Sequence, residues 1–195
     1  MVGDENQEQR PAIAPRITTE RLILRSFQRD DFDTFCATRA KPEVMQHIAS
    51  KPFTRSQLWE KFLRGPGLWS LAGYGVWAIE RREDGRLIGE VGFADYQRDL
   101  EPPLPGQGAS AEEAIWPEAS WLLDSDAHGK GYASEALAAA LAWADTALQT
   151  PIICIISPSN KASLRLAARH GFLVVGHRVH KGDPVIVFQR NLPME

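Results

Sequence analysis

Apolar side chains recur along this chain with two periods, and the switches between them mark the elements. Residues 21–25, Arg-Leu-Ile-Leu-Arg, read as a first strand. Asp30 and Asp31 then predict the cap and acidic first turn of a helix carrying Phe32, Phe35 and Cys36. Thr54 predicts the cap of a second helix with Leu58, Trp59, Phe62 and Leu63 at helical spacing, and Gly65-Pro66-Gly67 is expected to stop it. Residues 74–80 and 86–93 read as two strands joined by the turn Glu83-Asp84-Gly85, because Asp-Gly supplies the positive φ angles of a tight hairpin.

The second half repeats the alternation. Residues 119–124 form a buried strand, 125–130 a loop, and about 131–148 a helix. Its Ala133, Leu137, Ala140, Leu141, Ala144 and Leu148 share one face, and the segment is alanine-rich without proline. Residues 151–157 are an isoleucine-rich strand, and 159–172 a capped helix ending at Gly171. Residues 174–180 and 185–190 are the last strands, joined through Lys181-Gly182-Asp183-Pro184.

Two stretches carry no period. Residues 1–16 are polar and hold Pro11 and Pro15, so a flexible N-terminal arm is expected, with one domain over 17–192. Residues 95–117 are rich in proline and glycine and read as an insertion or long loop. Asp95, Asp99, Glu101, Glu112 and Glu113 make that loop acidic, so a cationic partner is favoured there.

Composition narrows the class. A chain of 195 residues with 44% hydrophobic and 24% charged content suits one globular domain with a real core. A net charge of −3 without a basic run argues against nucleic acid as the partner. No apolar run has the length of a membrane span, and the polar start lacks a signal-peptide core, so a cytoplasmic setting is expected. Cys36 and Cys154 read as buried free thiols. His177 and His180 lack a third ligand at metal spacing, so no metal is expected; His170 complements a helix C-terminus.

The chemistry concentrates at one junction. In His128-Gly129-Lys130-Gly131-Tyr132-Ala133, two glycines alternate with a lysine where a strand becomes a helix. Glycines let the backbone turn tightly and approach a ligand. The first N–H groups of a helix lack internal partners and sit at its positive end, so the junction suits a phosphate or pyrophosphate. A dinucleotide fingerprint would need a third glycine, where Ser134 stands, and no Walker lysine follows a glycine ahead of Ser or Thr.

The run from Pro117 to Asp124 leading into His128–Leu137 resembles the GNAT superfamily of N-acetyltransferases. That family carries Gln/Arg-x-x-Gly-x-Gly/Ala here; Gly131 and Ala133 match, and His128 stands in the first place. Residues 159–172 resemble the family's Asn-x-x-Ala/Ser helix ending in Gly-Phe. Thr19-Glu20-Arg21-Leu22-Ile23-Leu24-Arg25 resembles the branch of ribosomal-protein N-terminal (alanine) acetyltransferases. The resemblance implies a mixed α/β fold: a mostly antiparallel sheet of six to seven strands, about four helices, and a central parallel pair that splays apart. It implies acetyl-CoA as cosubstrate and a primary amine, on a protein N-terminus or a small cationic molecule, as acceptor, with the acidic 95–117 loop expected to border the acceptor site and to favour a cationic amine. A homodimer is expected on resemblance alone.

On the same basis, His128, Gly129, Lys130, Gly131, Tyr132 and Ala133 would hold the pyrophosphate. Leu122 and Leu123 would line the pantetheine arm, and Asn160 and Ser163 would face the coenzyme. An attacking amine must be neutral, while an α-amino group has a pKa near about 8 and lysine about 10.4. A base is therefore useful, and Glu118 is the candidate, with Glu90 behind it. Many relatives have a tyrosine as acid where Ala167 stands, so Ser163, Tyr132 or water is the substitute. Trp69, Trp77 and Trp121 are expected near the acceptor. A coenzyme-binding module with a weakened catalytic site is the competing reading, prompted by His128 and Ala167.

Overall fold

The computed structural model describes residues 12–49, 51–103 and 116–192. The strands among them are β1 (Ile17–Thr18), β2 (Leu22–Arg25), β3 (Val76–Arg81), β4 (Leu87–Ala94), β5 (Leu100–Glu101), β6 (Glu118–Leu123), β7 (Ile152–Ile156), β8 (Leu173–His180) and β9 (Asp183–Arg190). The helices are α1 (Phe32–Arg39), α2 (Pro42–Met45), α3 (Arg55–Ala72), α4 (Tyr132–Ala147) and α5 (Lys161–Arg169). One nine-stranded sheet runs β1-β2-β3-β4-β6-β7-β9-β8-β5. Every pairing is antiparallel except β6 with β7, which α4 connects. The mixed α/β architecture is the expected one. The additional elements are the two-residue strands β1 and β5 and the four-residue helix α2, all too short to set up a period.

α4 buries Ala136, Leu137, Ala140, Leu141 and Ala144 against one face of the sheet, where Leu22, Leu24, Trp77, Ile79, Val91, Phe93, Leu123 and Ile152 meet it. Trp69 and Trp77 are 2% and 0% exposed and pack edge to face at 4.6 Å, with Trp143 beside both. These two tryptophans are therefore core, not acceptor wall.

Two local expectations are corrected. Gly65-Pro66-Gly67 does not stop α3, which continues to Ala72 and ends at left-handed Gly73. Leu58, Phe62, Gly65 and Trp69 form one buried stripe, and Trp69 Nε1 donates to the Val76 carbonyl at 3.2 Å. Burial at both ends of that stripe carries the helix across its weak centre. Asp31 stands at the start of α1 but makes no cap bond to it. Its carboxylate instead accepts from the Gln28 amide at 2.7 Å and from both terminal nitrogens of Arg25, a buried charge pair that also engages Glu80.

Residues 1–11 of the expected arm lie outside the described residues, but its end packs on the domain. Ala14 is 7% exposed in the main core, and Trp77 Nε1 donates to the Pro15 carbonyl at 2.7 Å. Of the expected 95–117 loop, residues 104–115 lie outside the described residues, and Leu100–Glu101 pairs with β8.

Gly67 sits in α3 with open space where a Cβ would go and no positive φ. Gly67→Ala should therefore raise stability by about 0.5–1 kcal/mol through the lower entropy of the unfolded chain. Denaturant unfolding would check it, and a destabilised variant would show that α3 needs the glycine.

Candidate active site

The loop that leaves β6 is built for an anion. Asp124 fixes its start: the carboxylate accepts from the Asp126 amide at 2.9 Å, from Lys41 at 2.8 Å and from Thr38 at 3.2 Å. Burial alone would raise the Asp124 pKa, but Lys41 and these hydrogen bonds hold it below the usual carboxylate range. After a 3₁₀ turn at Ser125–Ala127, Gly129 and Gly131 take φ of 71° and 82°, the left-handed region that favours glycine. The backbone N–H groups of residues 129–133 donate to no acceptor among the described residues. Five consecutive free amides at the N-terminus of a 16-residue helix are an arrangement suited to an anion.

The side chains of this loop are engaged with groups of the protein. Nε2 of His128 lies 3.0 Å from the Leu123 carbonyl, the geometry of an imidazole N–H donating to it. Lys130 Nζ donates to the Asp126 carbonyl at 2.8 Å. Lys130 ties the loop to itself, and His128 ties it to the end of β6. Tyr132 is buried beneath the Arg21 guanidinium, 4.7 Å from its ring centre, and Ala133 is half-buried behind it. Arg21 donates to the Lys130 carbonyl at 2.9 Å and pairs with Glu135, which also accepts from the Thr19 hydroxyl. Burial raises the Glu135 pKa, but Thr19 and Arg21 outweigh it and hold the carboxyl low.

Beside the loop the sheet opens. β6 and β7 share one register pair, Glu118 with Ile153, and the Ile153 amide donates to Pro117 O at 3.0 Å. Beyond that point they pair no further. Leu122 packs on Val44 and Met45, and Leu123 lies in the main core, so both side chains are structural and only their backbone is left to line the gap. Across the gap, Asn160 caps α5 by accepting from the Ser163 amide at 3.0 Å. Ser163 Oγ accepts from Trp121 Nε1 at 3.1 Å, so of the three expected tryptophans Trp121 is the one at the fork. His170 also has a part: it meets Ser134 Oγ at 2.8 Å, and burial holds its pKa below the usual range.

Glu118 opens β6 and is only 5% exposed. Arg98 grips it with both arms, Nε to Oε2 at 2.6 Å and a terminal nitrogen to Oε1 at 2.7 Å. Burial raises the Glu118 pKa, and Arg98 pulls against it without cancelling the rise. Arg98 also lies 4.5 Å over the Tyr96 ring, whose hydroxyl donates to Ser120 Oγ at 3.1 Å, and 3.3 Å from His180 Nε2. Glu90 is paired with Arg39. Arg98 and Arg21 had no signal in the sequence: each acts on a partner far along the chain. Among the described residues no cluster of three His, Cys, Asp or Glu is placed to hold a metal, and no helix is long and apolar enough to cross a membrane.

The profile of the acetyltransferase (GNAT) domain matches residues 21–173. The chain belongs to the GNAT acetyltransferase family. Membership implies acetyl transfer from acetyl-CoA. A GNAT-family acetyltransferase structure from Bordetella pertussis is 27% identical, covers 91% of this chain and 99% of its own, and superposes with a TM-score of 0.72. An uncharacterised N-acetyltransferase, p20 of Bacillus licheniformis, is 27% identical over 76% of each chain. A ribosomal-protein-S5-alanine acetyltransferase from Vibrio fischeri shares the fold at a TM-score of 0.70, with 16% identity over 92% of this chain and 97% of its own. In this GNAT chain, then, the glycine loop and the forked strands occupy one structure with the family's sequence signature.

Proposed function

We propose that this chain transfers an acetyl group from acetyl-CoA to a primary amine by direct attack within a ternary complex. The observation that carries the reading is the row of free amides at residues 129–133 beside the fork between β6 and β7. The pyrophosphate would rest on those amides, held by Gly129, Lys130, Gly131, Tyr132 and Ala133 through the backbone, while the His128 side chain braces the loop. The pantetheine arm would enter the fork along the Leu122–Leu123 backbone, with Asn160 and Ser163 opposite. The neutral amine attacks the thioester carbonyl, the tetrahedral oxyanion is stabilised by strand amides, and the coenzyme leaves as a thiolate.

Glu118 serves as base and Ser163 as acid in this reading. A carboxylate offers about four lone-pair sites and Arg98 takes two, so Glu118 retains capacity to receive a proton, through water, from the amine. Its raised pKa makes it a better base than an exposed carboxylate. The Ser163 oxygen accepts from Trp121, leaving its own O–H to hydrogen-bond the departing thiolate and relay to it a proton from water, which restores the serine hydroxyl.

The test is thiol release from acetyl-CoA against an amine panel. Glu118→Gln should lower kcat by about 10²-fold or more, the scale of general-base catalysis, and remove the acid limb of the pH–rate profile. An unchanged profile would exclude Glu118 as base. Tight acetyl-CoA binding with no turnover of any amine would favour the competing reading, a coenzyme-binding module.

A further inference from the structure

One concave surface is not used by the coenzyme reading. Phe53, Gln57, Glu60, Lys61 and Arg64 line a groove of about 370 Å³, a volume suited to a small molecule. All but Phe53 lie on α3 at spacings of three and four, so they share one side of the helix. The groove adjoins the proposed reaction centre. Arg64 lies 4.9 Å over the ring of Tyr96, the ring that also carries Arg98, and the Tyr96 hydroxyl reaches β6 at Ser120.

Its charge is unusual. Arg39 is matched by Glu90 and Arg98 by Glu118. Lys61 and Arg64 have no carboxylate within ion-pair distance among the described residues. Lys61 lies 4.5 Å over the Phe53 ring and is half-buried. Burial lowers its pKa, as do the charges of Arg64, Arg39 and Lys181, against Glu90 alone. Glu60 also lines the groove but is exposed to water. Two unmatched cations, one of them held in a setting that disfavours its charge, are complementary to an anion.

Of the acids in the 95–117 stretch, Asp99 and Glu101 are exposed. The Asp95 carboxylate accepts from the Gln97 amide at 3.1 Å, and Glu112 and Glu113 lie outside the described residues.

We infer that the acceptor is a small amine that also carries an anionic group, a carboxylate or phosphate, which Lys61 and Arg64 bind while the amine faces Tyr96 and Glu118. This deepens the acetyltransferase reading and rests on it. It is an alternative to the cationic preference that the 95–117 acids suggest, and the acceptor panel decides between them.

Matched acceptors test it with the full chain and acetyl-CoA: β-alanine against propylamine, phosphoethanolamine against ethanolamine, glutamate, and putrescine. The acidic amines should show kcat/KM at least about tenfold above their uncharged counterparts and above putrescine, and the two pairs separate carboxylate from phosphate. Lys61→Gln and Arg64→Gln should each raise KM for the acidic amine about tenfold while the KM for acetyl-CoA stays put, and Arg64→Lys should recover part of the loss. Preference for putrescine or propylamine, or an unmoved KM in both variants, overturns the inference. So does an absence of turnover for every acidic amine while acetyl-CoA still stabilises the protein; the coenzyme reading then stands alone. Use of acidic peptides in preference to every small acid overturns the assignment to a small molecule. Failure of acetyl-CoA to raise the thermal midpoint defeats the transferase reading itself, and the inference with it.

Discussion

Gly131→Val should weaken acetyl-CoA binding by at least about 100-fold while leaving the fold intact. The backbone there has φ of 82°, a region where a β-branched residue is strained by about 1–3 kcal/mol. A Cβ would also stand 3.3 Å from the Arg21 guanidinium that holds the loop from below. The chain relieves both by moving residues 129–133, the amides proposed to hold the pyrophosphate. Losing two hydrogen bonds to a charged ligand, at about 1.5 kcal/mol or more each, accounts for the factor. Gly129→Ala is the contrast: φ is 71° but the space is open, so only the backbone strain applies. Calorimetric titration with acetyl-CoA would read both. Wild-type affinity in a folded Gly131→Val protein would show that the pyrophosphate rests elsewhere.

The largest stability effect is expected at Arg98. Arg98→Met leaves Glu118 buried with an unmatched charge, and removing one partner of a buried pair costs about 3–5 kcal/mol. For a domain of this size that lowers the thermal midpoint by roughly 10 °C. The sign of the pH dependence follows from the carboxyl. Its folded pKa is already raised by burial, and without Arg98 it rises further. Below its unfolded value, about 4.3, the group is neutral in both states and the penalty vanishes. As pH climbs, the folded state resists ionisation, so stability falls until the folded pKa is passed. The gap between variant and wild type should therefore narrow in acid and widen toward neutrality. Adding Glu118→Gln should restore part of the loss. Denaturant unfolding at both ends of the range would decide, and a pH-independent gap would mean that Arg98 acts by packing.

What the sequence could reveal depended on distance along the chain. The face of α4, the Asp84-Gly85 turn and the two glycines of the loop are local patterns, and each has one physical reading. The cap and the C-terminal glycine located α5, while Ser163 and Asn160 were singled out by the family resemblance alone. Arg98 was hidden because its segment has no period and its partner lies 20 residues on; Arg21 was hidden because Glu135 lies 114 residues on. The end of α3 was misplaced because Gly-Pro-Gly is a local stop signal, and burial of Trp69 overrides it. His128 and Lys130 look like phosphate ligands on position alone; only the folded geometry shows His128 engaged with a carbonyl at the end of β6 and Lys130 with one of its own loop.

The single rung between β6 and β7 divides the sheet into two wings, β1-β2-β3-β4-β6 on one side and β7-β9-β8-β5 on the other. A pantetheine chain lying along the seam would act as a borrowed strand, supplying the cross-links that the protein omits. Cofactor and scaffold would then be coupled: the empty protein would open along this line more readily than elsewhere in the sheet, and loading it would stitch the wings together. Amide exchange in β7 should slow when acetyl-CoA is added, far more than in β3, which is paired on both sides in either state.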